Sequence, residues 1–323
     1  MCRDCRRTKT HLRIGAIVMD GGNPIIGYIG LGSMGLGMAT NLQENLRKRG
    51  ASLHVHNRTE SKAKTLLDQG AIWESSPAEI AKSCQITFSS MFADDGLKST
   101  FKKWLSGGPQ KGSIYVDSST VYPGTVKELT DEAEKAGIHF VSAPVFGRPD
   151  AALEHRVLFA VAGAKDVKQQ LQTYFDWMGR GTLDVGEEPY KANVMKITGN
   201  FFIVACVETI AEAMTLAEKN GIPRDTIAQF VSSTFPGPIY PGYAARLAAG
   251  DFEISASAPG FPVTGGCKDL GLMQRLAKES NVPLPLADII MSHEREAEQQ
   301  GNGDKDWGCI VDVLRNKAGL GKR

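Results

Sequence analysis

Asn193, Lys196 and Asn200 are the residues of this chain best placed to do chemistry. They fall three and four positions apart within KANVMKITGNFFIVACVETIAEAMTLAEKNG. On a helix that spacing puts them on one face. An amine and an amide aimed together from a largely apolar helix are costly unless they hold something. Taken alone, the pair also fits a lysine snorkelling to water beside an amide bonded to a loop. The segment upstream of this helix decides between the two.

The stretch that carries these residues reads as one helix. Pro189 suits a first turn, and Gly221 followed by Pro223 is a stop signal. Apolar residues cover nearly all faces from Val194 to Leu216, which predicts a helix over 189–220 buried between two bodies of protein.

Ahead of it, strand and helix patterns alternate from Pro24. Ile25–Ile29 is a short apolar strand, followed by Gly30-Leu31-Gly32-Ser33-Met34-Gly35, an amphipathic helix ending near Gly50, and a second strand at Leu53–His56. GxGxxG spacing between a strand and a helix is a dinucleotide fingerprint. The first glycine permits the turn and the second admits the pyrophosphate. The third lets helix and strand pack, while the helix N-terminus faces the phosphates. At the end of the second strand, where NAD-binding folds place an acid, stand Asn57, Arg58 and Thr59. A guanidinium and two small polar groups suit a 2′-phosphate, so NADP(H) is the expected cofactor.

Ser76-Pro77-Ala78-Glu79 is a capping box. Ile86–Ser89 leads to Met91 and Phe92, placed to line the cofactor site, and Ile114–Asp117 runs into Ser118-Ser119-Thr120. Phe140–Val141 runs into Ala143-Pro144-Val145-Phe146-Gly147, and Leu158–Ala162 is expected to be the last major strand. Ligands of open α/β sheets sit beyond the carboxyl ends of strands, where Ser119 and Gly147 fall. After the long helix only helical patterns follow, at Arg224–Ser233, Tyr240–Ala249, Lys268–Ser280 and Leu286–Gln299. The predicted fold class is α/β: a Rossmann-type doubly wound sheet at 24–188, then an all-α domain at 189–323 that begins with the interdomain helix.

At 323 residues the chain is long enough for two full cores. A formal net charge of +1 gives no reason to expect nucleic acid or an anionic membrane as partner, and the longest apolar run, Phe201–Val207, ends at Glu208. The six scattered cysteines argue for a reducing compartment, and Cys2-x-x-Cys5 has no second pair at zinc-finger spacing. His54 and His56 alternate along a strand as packing residues, so no metal is expected. Residues 1–23 are basic and acid-poor, the composition of a mitochondrial presequence, but lack serine; a cytoplasmic location is the main expectation.

With these residues in place, the sequence from about Ile25 to Asp306 resembles the β-hydroxyacid dehydrogenase family, which includes 3-hydroxyisobutyrate dehydrogenase and glyoxylate/succinic semialdehyde reductases. The resemblance rests on IGYIGLGSMGLGMATNL from Ile26, DSST at 117–120, APVFG at 143–147, KITGN at 196–200, and Lys268-Asp269-Leu270 after Phe261. It implies a small acid or aldehyde substrate, hydride transfer with the nicotinamide, and a homodimer or homotetramer. It also implies Lys196 as the catalytic acid/base with Asn200 as companion, Ser119 and Gly147 at the substrate carboxylate, and Lys268 reaching the cofactor. Asn57-Arg58-Thr59 looks like the NADP-preferring branch. Two positions depart from the family: Phe146 stands where a serine is usual, and Arg148 where a glycine is usual. They either shape an apolar pocket and hold a distal carboxylate, or pack the loop. An imine reductase-like enzyme shares the fold but usually lacks the lysine. A non-catalytic NADPH-binding module would most easily show loss of Lys196 or Asn200, and both are present.

Overall fold

The computed structural model describes residues 24–255 and 258–321. Its strands are β1 (Ile26–Ile29), β2 (His54–His56), β3 (Ile72–Trp73), β4 (Ile86–Ser89), β5 (Ile114–Asp117), β6 (His139–Ser142), β7 (Val145–Phe146), β8 (Val157–Ala162) and β9 (Gly179–Gly186). Between them lie helices α1 (Ser33–Arg47), α2 (Lys64–Asp68), α3 (Pro77–Ser83), α4 (Asp94–Ser106), α5 (Pro123–Ala136), α6 (Pro149–Leu153) and α7 (Lys165–Met178). The rest is helical: α8 (Tyr190–Lys219), α9 (Arg224–Thr234), α10 (Ile239–Ala249), α11 (Val263–Glu279), α12 (Pro285–Ala297) and α13 (Ile310–Lys317).

The strands form one sheet in the order β3-β2-β1-β4-β5-β6-β8-β7, with β9 on β8. β1 to β6 run parallel, β8 antiparallel to β6, and β9 parallel to β8. Strand order reverses between β1 and β4, and the crevice for a dinucleotide opens at that switch point. Alternate residues feed opposite faces. Tyr28, Phe88 and Val116 pack under α1 and α7, while Ile29, Tyr115 and Phe140 pack under α3, α4 and α5. Both faces are covered, so the central strands are apolar throughout. Phe101 and Trp104 of α4 meet the Tyr115 ring edge-on, each with ring centroids 4.9 Å apart. Large rings buried this way contribute about 1.5–3 kcal/mol each.

The expectation that Leu158–Ala162 ends the sheet is corrected by β9, an eight-residue strand. Its GRGTLDVG sequence hid it: three glycines and a half-exposed edge position leave almost no alternation. Helix α11 begins at Val263, five residues before the expected Lys268, and takes in Gly265 and Gly266. They are there for packing. A Cβ on Gly266 would sit 3.2 Å from both Glu294 and Trp307, and one on Gly265 would meet the Phe261 ring at 2.9 Å. The basic segment 1–23 and its cysteine pair lie outside the described residues.

Helix α8 crosses the helical half and touches the sheet. Among the described residues it is the one helix long and apolar enough to span a membrane, but half of its apolar window is buried. Asn193, Lys196, Asn200 and Glu208 are themselves buried in it, which makes it a core helix.

Candidate active site

The glycine turn between β1 and α1 has the shape a dinucleotide needs. Gly30 takes φ +96°, and a Cβ there would lie 2.3 Å from the Ser90 carbonyl; one on Gly35 would lie 2.0 Å from the Gly30 carbonyl. Nothing stands within 4 Å of a Cβ on Gly32, so only the middle glycine faces open space, at the N-terminus of α1. Backbone crowding therefore fixes the first and third glycines, while the second keeps a phosphate cradle clear. The Asn57 amide carbonyl accepts from the Leu31 N–H at 3.0 Å and its Nδ2 donates to the Thr59 carbonyl at 2.9 Å, which ties the end of β2 to the turn. Arg58 is exposed and has no ion-pair partner among the described residues. The residues present fit an NAD(P) dinucleotide. Ser33 and Met34 open α1 beside this turn.

Across the crevice, the ends of β4 and β5 are locked together by Asp117. Ser89 Oγ and Ser119 Oγ donate to its Oδ1 at 2.8 and 2.7 Å, and the Ser119 N–H donates to Oδ2 at 3.2 Å. Burial pushes the Asp117 carboxyl up to about 6, against the pull of those hydroxyls. Ser119 Oγ also accepts from the Met91 N–H at 2.8 Å, so the hydroxyl spans the two loops. Its proton is committed to Asp117. Met91 packs beneath Gly30, and the Phe92 ring is 65% exposed.

Helix α8 brings in the amine. Asn193 accepts from the Val121 N–H at 3.1 Å and donates to Ser142 Oγ at 2.9 Å, pinning the helix to the carboxyl ends of β5 and β6. One turn on, Lys196 is 8% exposed and donates to Asn200 Oδ1 at 2.8 Å. Asn200 Nδ2 donates to Asp269 Oδ2 at 2.7 Å, and Asp269 Oδ1 lies 3.0 Å from Lys268 Nζ. Loss of water lowers the Lys196 ammonium to about 8; the Asp269 carboxylate opposes the fall and Lys268 adds to it. Asp269 also fixes the Asn200 amide, because its carboxylate can accept only from the NH2 end.

Lys268 and Phe146 meet the Lys196–Asn200 pair; Arg148 turns elsewhere. Lys268 reaches across from α11 to the Phe92 and Thr120 carbonyls at 3.1 and 2.8 Å. The Phe146 ring centroid is 4.6 Å from Lys196 Nζ, and a Cβ on Gly199 would come within 2.4 Å of the ring. Phe146 thus fits a slot left by Gly199 and walls the lysine. Gly147 holds φ +152°. Arg148 turns toward the helical half, to Asp306 and the Pro259 carbonyl. Asp269, Asp117 and Asp306 organise this site, and sequence reasoning gave them no role. Asp117 and Asp269 each lie within a block that carries the resemblance, the one signal available. His54 and His56 lie on β2, between β1 and β3, and bond the Glu74 carboxylate and carbonyl at 2.7 and 2.8 Å.

Residues 25–199 match the family model described as the NAD binding domain of 6-phosphogluconate dehydrogenase. Residues 191–314 match the one described as NAD-binding of NADP-dependent 3-hydroxyisobutyrate dehydrogenase. The chain belongs to the β-hydroxyacid dehydrogenase family. An uncharacterized oxidoreductase of Bacillus subtilis (strain 168) is 33% identical over 90% of this chain and 99% of its own. The mitochondrial 3-hydroxyisobutyrate dehydrogenase of Drosophila melanogaster is 27% identical over 94% of this chain and 93% of its own. A 3-hydroxyisobutyrate dehydrogenase structure from Salmonella typhimurium superposes with a TM-score of 0.78 over 90% of this chain and all of its own; at 22% identity, that likeness concerns the fold. The β-hydroxyacid dehydrogenase family supports NAD(P)-dependent hydroxyacid dehydrogenase activity for this chain.

Proposed function

We propose that this protein is an NADP(H)-dependent oxidoreductase that interconverts a small β-hydroxy acid and its semialdehyde or keto form, with Lys196 as general acid/base. The observation that carries this is a buried amine, lowered to about 8, on a helix face that looks onto the dinucleotide crevice. A group with that affinity for protons can give one to a developing alkoxide or take one from an alcohol near neutral pH. When bound, the nicotinamide supplies or accepts the hydride. Asn200, its amide set by Asp269, aims the Lys196 amine. The dry wall of Phe146 keeps water from the amine, and the loops carrying Ser119 and Gly147 complete the substrate side.

Gly30 to Gly35, with Met91, Phe92 and Lys268, are assigned to the cofactor. Asn57, Arg58 and Thr59 are assigned to its 2′-phosphate: Arg58 is unpaired among the described residues, and β2 is followed by Asn57 rather than an acid that would repel a phosphate. The reading includes a cofactor-binding unit of 24–188, a helical unit of 189–323, and association into a homodimer or homotetramer.

The test is NADPH consumption with glyoxylate, succinic semialdehyde, methylmalonate semialdehyde and one cyclic imine. Turnover of an aldehyde acid, slower with NADH and lost in Lys196→Ala, is expected. Arg58→Ala should raise KM for NADPH about tenfold or more and leave that for NADH nearly unmoved. Full turnover by Lys196→Ala removes the lysine from the mechanism.

A further inference from the structure

An acid substrate needs a cation that is not already spent, and most of those near Lys196 are. Lys196 itself must exchange a proton. The Lys268 amine is held by two carbonyls and by Asp269. The Ser119 hydroxyl, the neutral alternative, gives its proton to Asp117 at 2.7 Å.

Arg148 is different. Its Nη2 lies 3.1 Å from Asp306 Oδ2, and Arg246 Nη1 lies 3.3 Å from the same oxygen. Both guanidiniums also donate to the Pro259 carbonyl. Asp306 is fully buried and takes two backbone donors besides, Phe261 N–H at 3.0 Å and Gly308 N–H at 3.1 Å. One carboxylate satisfied by one arginine would be neutral; here two arginines share it, and the trio keeps one net positive charge. Glu294, the other acid near Asp306, is held toward its neutral form by burial. The side chains of Arg148 and Arg246 are 30% and 21% exposed, and Arg148 Nε and Nη1 have no partner among the described residues. A guanidinium with a free N–H edge is built to take a carboxylate.

Its position limits the ligand further. Arg148 follows Phe146 by two residues of extended chain, about 7 Å at most between Cα atoms. The Phe146 ring itself lies on Lys196. The ring that walls the amine and the arginine with a free edge thus stand two positions apart on one loop.

We propose that Arg148, backed by Arg246, is the anion subsite of this protein, and that it selects aldehyde acids whose carboxylate stands on a short apolar spacer rather than on the reacting carbon. The proposal rests on the reductase reading for its chemistry but not for its binding site. Phe146 is then the wall for the spacer, and the two departures from the family pattern act together.

Binding is measured first, by calorimetry with NADP+ present, using 4-hydroxybutyrate and the neutral 1,4-butanediol as probes. The parent protein should bind the acid about thirtyfold tighter than the diol or better, the strength of a charge-assisted pair. Arg148→Met should lose that preference, and Arg148→Lys should recover part of it. Asp306 keeps Arg246 and both backbone donors in these variants, so the fold should persist; circular dichroism checks this. Equal binding of acid and diol by the parent, or an unchanged preference in Arg148→Met, overturns the subsite. Kinetics separate the two ideas. Turnover of butanal equal to that of succinic semialdehyde leaves the reductase reading standing and removes the subsite. Charge-dependent binding with no turnover of any carbonyl compound keeps the subsite and removes the reductase reading.

Discussion

Lys196→Met should make this protein inactive and more stable. In the folded chain the Lys196 ammonium is lowered from 10.5 to about 8, chiefly by burial. A fall of that size penalises the charged form by about 3 kcal/mol. The folded value lies below the unfolded one, so the favourable neutral state is complete above about pH 10.5 and is lost as pH falls through about 8. At pH 7 the parent therefore carries the full penalty. Methionine has similar length and no charge, so it removes that cost. It also removes the 2.8 Å bond to Asn200 Oδ1, and the orphaned acceptor takes back about 1 kcal/mol. The net expectation is a gain of about 2 kcal/mol at pH 7, shrinking toward zero or below it near pH 10. The assay is urea unfolding of both proteins without cofactor at several pH values, because a ligand bound to one alone would shift its midpoint. A variant no more stable than its parent at pH 7 would refute the argument. So would a gain that does not decline as pH rises, since burial of a charge is its main cause.

Other expectations follow from the same geometry. Glu294 is fully buried, its two oxygens have no hydrogen-bond partner among the described residues, and burial first, then Asp306 and Glu208, raises its pKa well above 4.5. Its stabilising neutral form is complete below about pH 4.5 and is lost as pH rises toward the folded value, so Glu294→Met should raise Tm more at pH 8 than at pH 5. Thermal scans at both values check this, and the reverse order would contradict it. Gly35→Ala should cost about 2 kcal/mol or more, because its Cβ would lie 2.0 Å from the Gly30 carbonyl. Gly32→Ala meets open space and should leave unfolding nearly unchanged while weakening NADPH binding about tenfold. A Gly32→Ala protein that binds as tightly as the parent would place the pyrophosphate elsewhere.

What the sequence made legible was local. The glycine turn, the apolar strands and the long helix each carry their signal within a dozen or so neighbouring residues, and each is found close to where its pattern placed it. Lys196 and Asn200 were legible because helical spacing alone puts them on one face. The misses share a cause as well. The glycines of β9 erased its alternation, and Gly265 and Gly266 give α11 no apolar signal upstream of Lys268, although their missing side chains make room for Glu294, Trp307 and Phe261. A glycine required by a distant neighbour cannot be told from a glycine required by a turn until that neighbour is known.

The same limit explains Phe146, and it bears on how the site came to differ from its relatives. Taken alone, position 146 leaves two readings open, a pocket wall or a packed loop. In the fold the ring lies against Gly199, where any Cβ would come within 2.4 Å of it, and it stands 4.6 Å from the lysine amine. The substitution is therefore half of a pair whose other half is 53 residues away, inside the KITGN block that carries the lysine. Arg148 is half of another, completed by Asp306 and Arg246 in the helical half. Each side chain has its partner elsewhere in the chain, and neither enters the Lys196–Asn200–Asp269 chain. On the reading proposed above, an amine kept buried at a cost of about 3 kcal/mol beside a differing loop argues for a changed substrate rather than for lost chemistry.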